Sequence, residues 1–155
     1  QAGSGRLMQV LDAALLGLLG LLVGSFLNVV IHRLPIMMER AWYAEYSDYF
    51  GDGEETPPAT GRYNLMVPRS ACPHCGHQIR WFENVPVVSY LALGGKCAGC
   101  KAPISLRYPT VELVASALFA WCGWRWGLTP TGLVWSGFAA AVLAPTHLVT
   151  ATSQA

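Results

Sequence analysis

Charge is scarce in this chain of 155 residues: ten Lys and Arg stand beside nine Asp and Glu, 12% of the sequence against 53% hydrophobic residues. Soluble domains carry about 25% charged residues, so these totals exclude a purely soluble globule and point to the bilayer. A formal net charge of +1 leaves no overall basic field to hold a nucleic acid and no acidic field to collect cations. The shortage is also uneven. Eight of the ten basic residues and seven of the nine acidic ones lie between Arg33 and Arg107, so a polar insert separates two apolar ends. No aspartate follows Asp52, and no side chain after Arg125 carries formal charge except a protonated His147. Nucleotide-binding motifs are missing as well. Gly51-Asp52-Gly53 lacks the strand-to-helix setting of a dinucleotide loop, and the Gly-Asp-Gly-Glu-Glu run lacks the rest of a phosphate cradle or calcium loop.

What is present is a set of paired cysteines. Cys72-Pro73-His74-Cys75 and Cys97-Ala98-Gly99-Cys100 are separated by 21 residues, a spacing that lets two tight knuckles converge on one tetrahedral ion. Cys72, Cys75, Cys97 and Cys100 are therefore the candidate ligands of a structural zinc site. Gly76 and Gly99 relieve the sterics of the turns. The competing readings are two disulfides or free thiols. Bridges inside Cys-x-x-Cys are strained and usually redox-active, and no thioredoxin-like strand and helix surround either pair. His74 and His77 read as exposed knuckle residues, since four sulfurs fill the shell, and Cys122 between Trp121 and Trp124 reads as a small buried apolar residue.

Gln1 to Gly5 resembles a linker, and residues 1–9 are set apart as linker or disordered. Ala13 to Ile31 holds 19 residues without charge, long enough at about 1.5 Å per residue to cross the hydrocarbon core. A transmembrane helix is expected over 10–35, ended by Pro35; a signal peptide is the alternative. Gly17, Gly20, Gly24, Ser25 and Asn28 line one face, where another helix can approach closely and Asn28 can hydrogen-bond across the interface or touch a substrate. Asp12 reads as a solvated interfacial carboxylate. Residues 36–109 form the insert. It begins with an aromatic helix, either interfacial or packed on the zinc unit, and continues with short hairpin strands at Gln78–Trp81 and Pro86–Leu91 that depend on metal. A second transmembrane helix is expected over 110–127, with Pro109 in its first turn and Glu112 complementing its dipole. A third, partial one is expected over 128–149, broken at Pro145, before a tail at 150–155. Arg33, Arg40, Lys96, Lys101 and Arg107 flank the insert, whereas Arg6 and Arg125 lie on the other side. The insert should face the cytoplasm, where thiols stay reduced. The fold class is thus an α-helical polytopic membrane protein with two or three transmembrane helices and a small cytoplasmic, four-cysteine, zinc-ribbon-like insert containing short β-hairpins.

Four blocks together carry a family resemblance: Gly24-Ser25-Phe26-Leu27-Asn28-Val29-Val30-Ile31-His32-Arg33-Leu34-Pro35, the paired Cys-x-x-Cys, Asn84-Val85-Pro86-Val87-Val88-Ser89-Tyr90-Leu91, and Arg107-Tyr108-Pro109-Thr110-Val111-Glu112. In order and spacing, over roughly residues 15–126, the chain resembles the amino-terminal part of the bacterial prepilin peptidases. The resemblance implies a polytopic inner-membrane aspartic endopeptidase that removes leader peptides from type IV prepilins and type II secretion pseudopilins. In many members the enzyme also methylates the new terminus with S-adenosylmethionine. It further implies two membrane-embedded aspartates in later helices, one activating water and the other protonating or stabilising the leaving group. This sequence has neither of them, and residues after about Leu143 do not continue the family pattern. Asn28, Arg33 and Glu112 are the candidate substrate contacts, although packing accounts for Asn28 and a first-turn acid for Glu112. Two functions remain in view: the non-catalytic front portion of a leader peptidase, and a membrane-anchored zinc-ribbon module that recruits a protein partner. Nucleic-acid binding lacks a basic stripe.

Overall fold

The computed structural model describes residues 2–50, 62–80, 83 and 85–152. It is mostly helical. Helix α1 spans Ala2–Phe50, α2 Val88–Ala92, α3 Arg107–Trp126 and α4 Pro130–Thr152. Over Gly3–Tyr46, α1 is long and apolar enough to cross a membrane, the one such helix among the described residues.

Helix α1 overrides two sequence expectations. It starts at Ala2, inside the stretch expected as linker, and it continues through Pro35 instead of ending there. Proline removes one N–H and crowds the carbonyl four residues back. The helix survives because both flanks are anchored. Ile31 and Arg33 are buried, and beyond the proline the Arg40 guanidinium lies 4.4 Å from the centroid of the Tyr63 ring. The span and the aromatic segment after it are therefore one rod, about 74 Å long at 1.5 Å per residue. Likewise α4 passes Pro145, where the Thr146 hydroxyl donates to the Leu143 carbonyl at 2.8 Å, the kind of side-chain help that lets apolar helices tolerate proline.

Helix α3 packs antiparallel on α1 along the small-residue stripe. A Cβ added at Gly20 would sit 2.7 Å from the Ala115 carbonyl oxygen, and one at Gly24 would sit 2.7 Å from the Glu112 Cα. Backbone therefore meets backbone. Ser116 donates to the Gly17 carbonyl at 2.9 Å, and Asn28 Nδ2 donates to the Tyr108 carbonyl at 3.0 Å, the cross-interface bond that the stripe foretells. At its other end α3 closes on Gly127, whose positive φ of 68° suits a residue without a side chain. Thr129 then caps α4 by accepting the Gly132 N–H. Leu27, Ile31, Val111, Ala115 and Leu143 from the three long helices form the core. Leu15, Leu18, Leu22 and Phe26 stay exposed on α1, as do Val134 and Phe138 on α4. So much uncovered apolar surface is what a bilayer solvates.

The expected hairpins do not form. Among the described residues pairing is limited to two isolated bridges, Ala71 with Gln78 and Lys96 with Pro103. The segment expected as a strand at Pro86–Leu91 instead winds into α2, because Ser89 Oγ accepts the Val85 N–H and the backbone bonds run from Ser89 to Val85 and from Leu91 to Val87. Trp81 lies outside the described residues.

Substituting Gly24→Leu should drive a side chain into the α3 backbone and cost roughly 1–3 kcal/mol. Thermal unfolding in detergent should show a lowered midpoint, while an unchanged midpoint would mean that α1 and α3 do not touch there.

Candidate metal centre

Each cysteine pair sits in a knuckle closed by its own backbone. In the first, the Cys72 N–H donates to the His77 carbonyl and the Gly76 N–H to the Cys72 carbonyl, both at 2.9 Å. In the second, the Cys97 N–H donates to the Ala102 carbonyl at 2.8 Å and the Lys101 N–H to the Cys97 carbonyl at 3.1 Å. A bond closes each base, from Ile79 to Ser70 and from Ile104 to Gly95. Every partner in the second knuckle stands at the same offset from its counterpart as Cys97 from Cys72. The two are therefore one structural device used twice, with the four sulfurs at matching places. Tyr90 of α2 braces the second copy through its hydroxyl, 3.4 Å from the Ile104 carbonyl.

The sulfurs converge. Cys72 and Cys100 lie 3.8 Å apart, Cys75 and Cys97 4.0 Å apart, and all four fall within 4.8 Å of one another. None is disulfide-bonded. Sulfurs bound tetrahedrally at about 2.3 Å stand about 3.8 Å apart, the separation that Cys72 and Cys100 already have, so small side-chain adjustments would close the set on a metal ion. Their electrostatics point the same way. The N–H groups of His74 and Cys75 hold the Cys72 thiol down at about 7, against an ordinary value of 9.0. Cys97 is lowered by the Cys100 and Gly99 N–H groups. At Cys75 the His77 N–H favours the thiolate, but desolvation and the other sulfurs outweigh it and push the thiol up to about 11. The cage is built to accept negative charge and cannot hold four thiolates without a cation.

His77 is half-buried and stays out of the sulfur cluster; its Nε2 faces Glu83 Oε2 at 3.2 Å. Glu83 also accepts the Arg80 N–H at 2.9 Å, which with His77 holds its carboxyl below the usual range. This pair had no signature in the sequence. Cys122 is buried at the α1–α3 contact.

Asn28, Arg33 and Glu112 are all buried, and none reaches the sulfurs. Each instead binds neutral backbone where the helices meet the insert. Asn28 holds the Tyr108 carbonyl. Arg33 donates to the Asn64 carbonyl at 2.8 Å and to the Pro68 carbonyl. Glu112 accepts the Val87 N–H at 2.7 Å, fixing a β-branched residue at φ 56°, a conformation that needs such a restraint.

With this geometry in hand, comparison with known proteins is decisive. Residues 18–126 match the profile of the bacterial peptidase A24 N-terminal domain. The chain belongs to that family. A prepilin leader peptidase/N-methyltransferase of Pseudomonas aeruginosa is 61% identical over 112 residues, covering 72% of this chain and 38% of that protein. Proteins of the same name from Burkholderia pseudomallei and Aeromonas hydrophila are 55% identical over 126 residues and 58% over 108. They are covered over 41% and 36% of their lengths, against 81% and 68% of this chain. The chain thus spans about two fifths of the curated relatives it matches. No solved structure matches it.

One of the positions at which the paired knuckles of this A24 domain differ bears on backbone strain. Gly76 and Lys101 occupy equivalent positions, with φ of 70° and 60°, and only the glycine adopts that conformation without strain. Lys101→Gly should relieve about 1 kcal/mol and raise metal affinity about five-fold in competition with a chromophoric chelator. Unchanged or weaker binding would contradict the equivalence. Because thiols must ionise to bind, protons compete with metal. The Cys72 thiolate persists above about 7 and is lost as pH falls through that value, which accounts for about a ten-fold loss of affinity between pH 8 and pH 6. Cys75, protonated over that whole range with its thiol at about 11, adds about 100-fold, so affinity for Zn²⁺ or Cd²⁺ should drop at least about 1,000-fold. A loss under about ten-fold would contradict binding through these thiolates.

Proposed function

We propose that the chain is the membrane-embedded amino-terminal portion of a prepilin leader peptidase/N-methyltransferase. In this reading Cys72, Cys75, Cys97 and Cys100 hold a structural Zn²⁺ that keeps the insert folded on the cytoplasmic side of the inner membrane. The observation that carries it is the convergence of four reduced sulfurs within 4.8 Å inside a domain of this family. An all-sulfur tetrahedral set suits zinc, and a closed shell suits a structural role. The basic residues flanking the insert favour the cytoplasmic orientation, and α3 and α4 would cross the bilayer beside α1.

The substrates would be leader peptides of type IV prepilins and pseudopilins, and the methyltransferase part of the relatives' name fits S-adenosylmethionine as donor. Cleavage itself would fall to an aspartate pair in helices beyond this stretch, since no aspartate follows Asp52 here. The 155 residues would supply the zinc-held insert and the helices beneath it, with Asn28, Arg33 and Glu112 setting how the insert sits and so where a leader peptide could lie. The absence of that pair favours a non-catalytic, partner-binding role for this polypeptide by itself.

Purified chain should carry one zinc per molecule. The Cys72→Ser and Cys97→Ser variants should lose it and become sensitive to protease between Asn64 and Pro109, whereas unchanged metal content in both would reject the ligand assignment. Incubated with a prepilin, the chain should give no cleavage; turnover would show that the residues present suffice.

A further inference from the structure

At the junction of helices and insert stand three arginines, Arg33, Arg40 and Arg107, that pair with no acid among the described residues. Arg33 and Arg40 both lie against the Tyr63 ring, 5.6 Å and 4.4 Å from its centroid. Arg107 lies 5.5 Å from the Tyr108 ring, whose backbone is bound to α1 through Asn28. His32 stands between the two halves on α1, next to Arg33 and one helical turn from Asn28. The one ion pair among the described residues is His77 with Glu83, so none of these arginines is matched by a carboxylate there. Arg33 spends its donors on neutral carbonyls. The Nε atoms of Arg40 and Arg107 are buried with no hydrogen-bond partner. Both arginines are half-buried, and an anion would partner the nitrogen that each leaves unsatisfied.

Position narrows the anion. The collar starts at the first charged residues after the uncharged run Ala13–Ile31, the level at which a span of that length leaves hydrocarbon for headgroups. Guanidinium forks match phosphate oxygens in pairs. We propose that His32, Arg33, Arg40 and Arg107, with Tyr63 and Tyr108, form a binding site for a phosphate diester or monoester, supplied in the membrane by an anionic phospholipid headgroup. The site stands apart from the peptidase reading and from the metal centre.

The test uses the purified chain in zwitterionic detergent, with lipid binding followed by native mass spectrometry and by thermal shift. Phosphatidylglycerol should bind and raise the unfolding midpoint where phosphatidylcholine does not. Arg40→Gln and Arg107→Gln should each weaken binding about five-fold, at roughly 1 kcal/mol per arginine at a membrane surface. Glycerol 1-phosphate separates the sources. If it does not compete, the bilayer lipid is the ligand; if it binds with the same sensitivity to both substitutions, the site is real and takes soluble phosphate. Phosphatidylglycerol binding no tighter than phosphatidylcholine, or binding unaltered in both single variants while their circular dichroism remains native, would overturn the proposal.

Discussion

Four thiols brought within 4.8 Å of one another cannot all carry charge unaided, while backbone N–H groups favour the thiolate at two of them. A divalent cation held by the four sulfurs would resolve that conflict. Around the sulfurs the described residues of the insert form two isolated bridges, the five-residue α2 and a handful of turns. A segment of that size buries little apolar surface of its own, so metal-binding energy delivered through the sulfurs would become folding energy. The duplication of the knuckle follows from the same constraint, because a tetrahedron made of two Cys-x-x-Cys pairs needs two turns of equal reach.

The helices meet a different requirement. In a bilayer no hydrophobic gain would draw α1 to α3, and close backbone contact and hydrogen bonds would hold them together. Gly20 and Gly24 give the contact, and Ser116 and Asn28 give the bonds. The insert is then coupled to the bundle by Arg33 and Glu112, which bind its backbone directly. These joints fix the height and orientation of the four-cysteine cluster relative to the helices.

Much of this was legible in the residues. The cysteine spacing foretold the cage, and glycines three and four residues apart foretold the α1–α3 seam, because both patterns carry their own geometry. The errors arose where tertiary contacts outweighed local preference. Pro35 reads as a stop, yet α1 continues because Arg33 and Arg40 are held by residues 23 to 35 positions further along, in Tyr63, Asn64 and Pro68. Val87 and Val88 read as strand, yet Glu112 and Ser89 turn that segment into a helix. His77 with Glu83, and the arginine collar, depend on three-dimensional proximity that no spacing rule announces.

The claim on which the rest stands is that all four sulfurs bind one zinc ion. X-ray absorption at the zinc edge of the purified, metal-replete chain tests it most directly. The account predicts a single shell of four sulfur neighbours at about 2.3 Å. A shell containing nitrogen or oxygen, or thiols found paired as disulfides with no zinc signal, would contradict it.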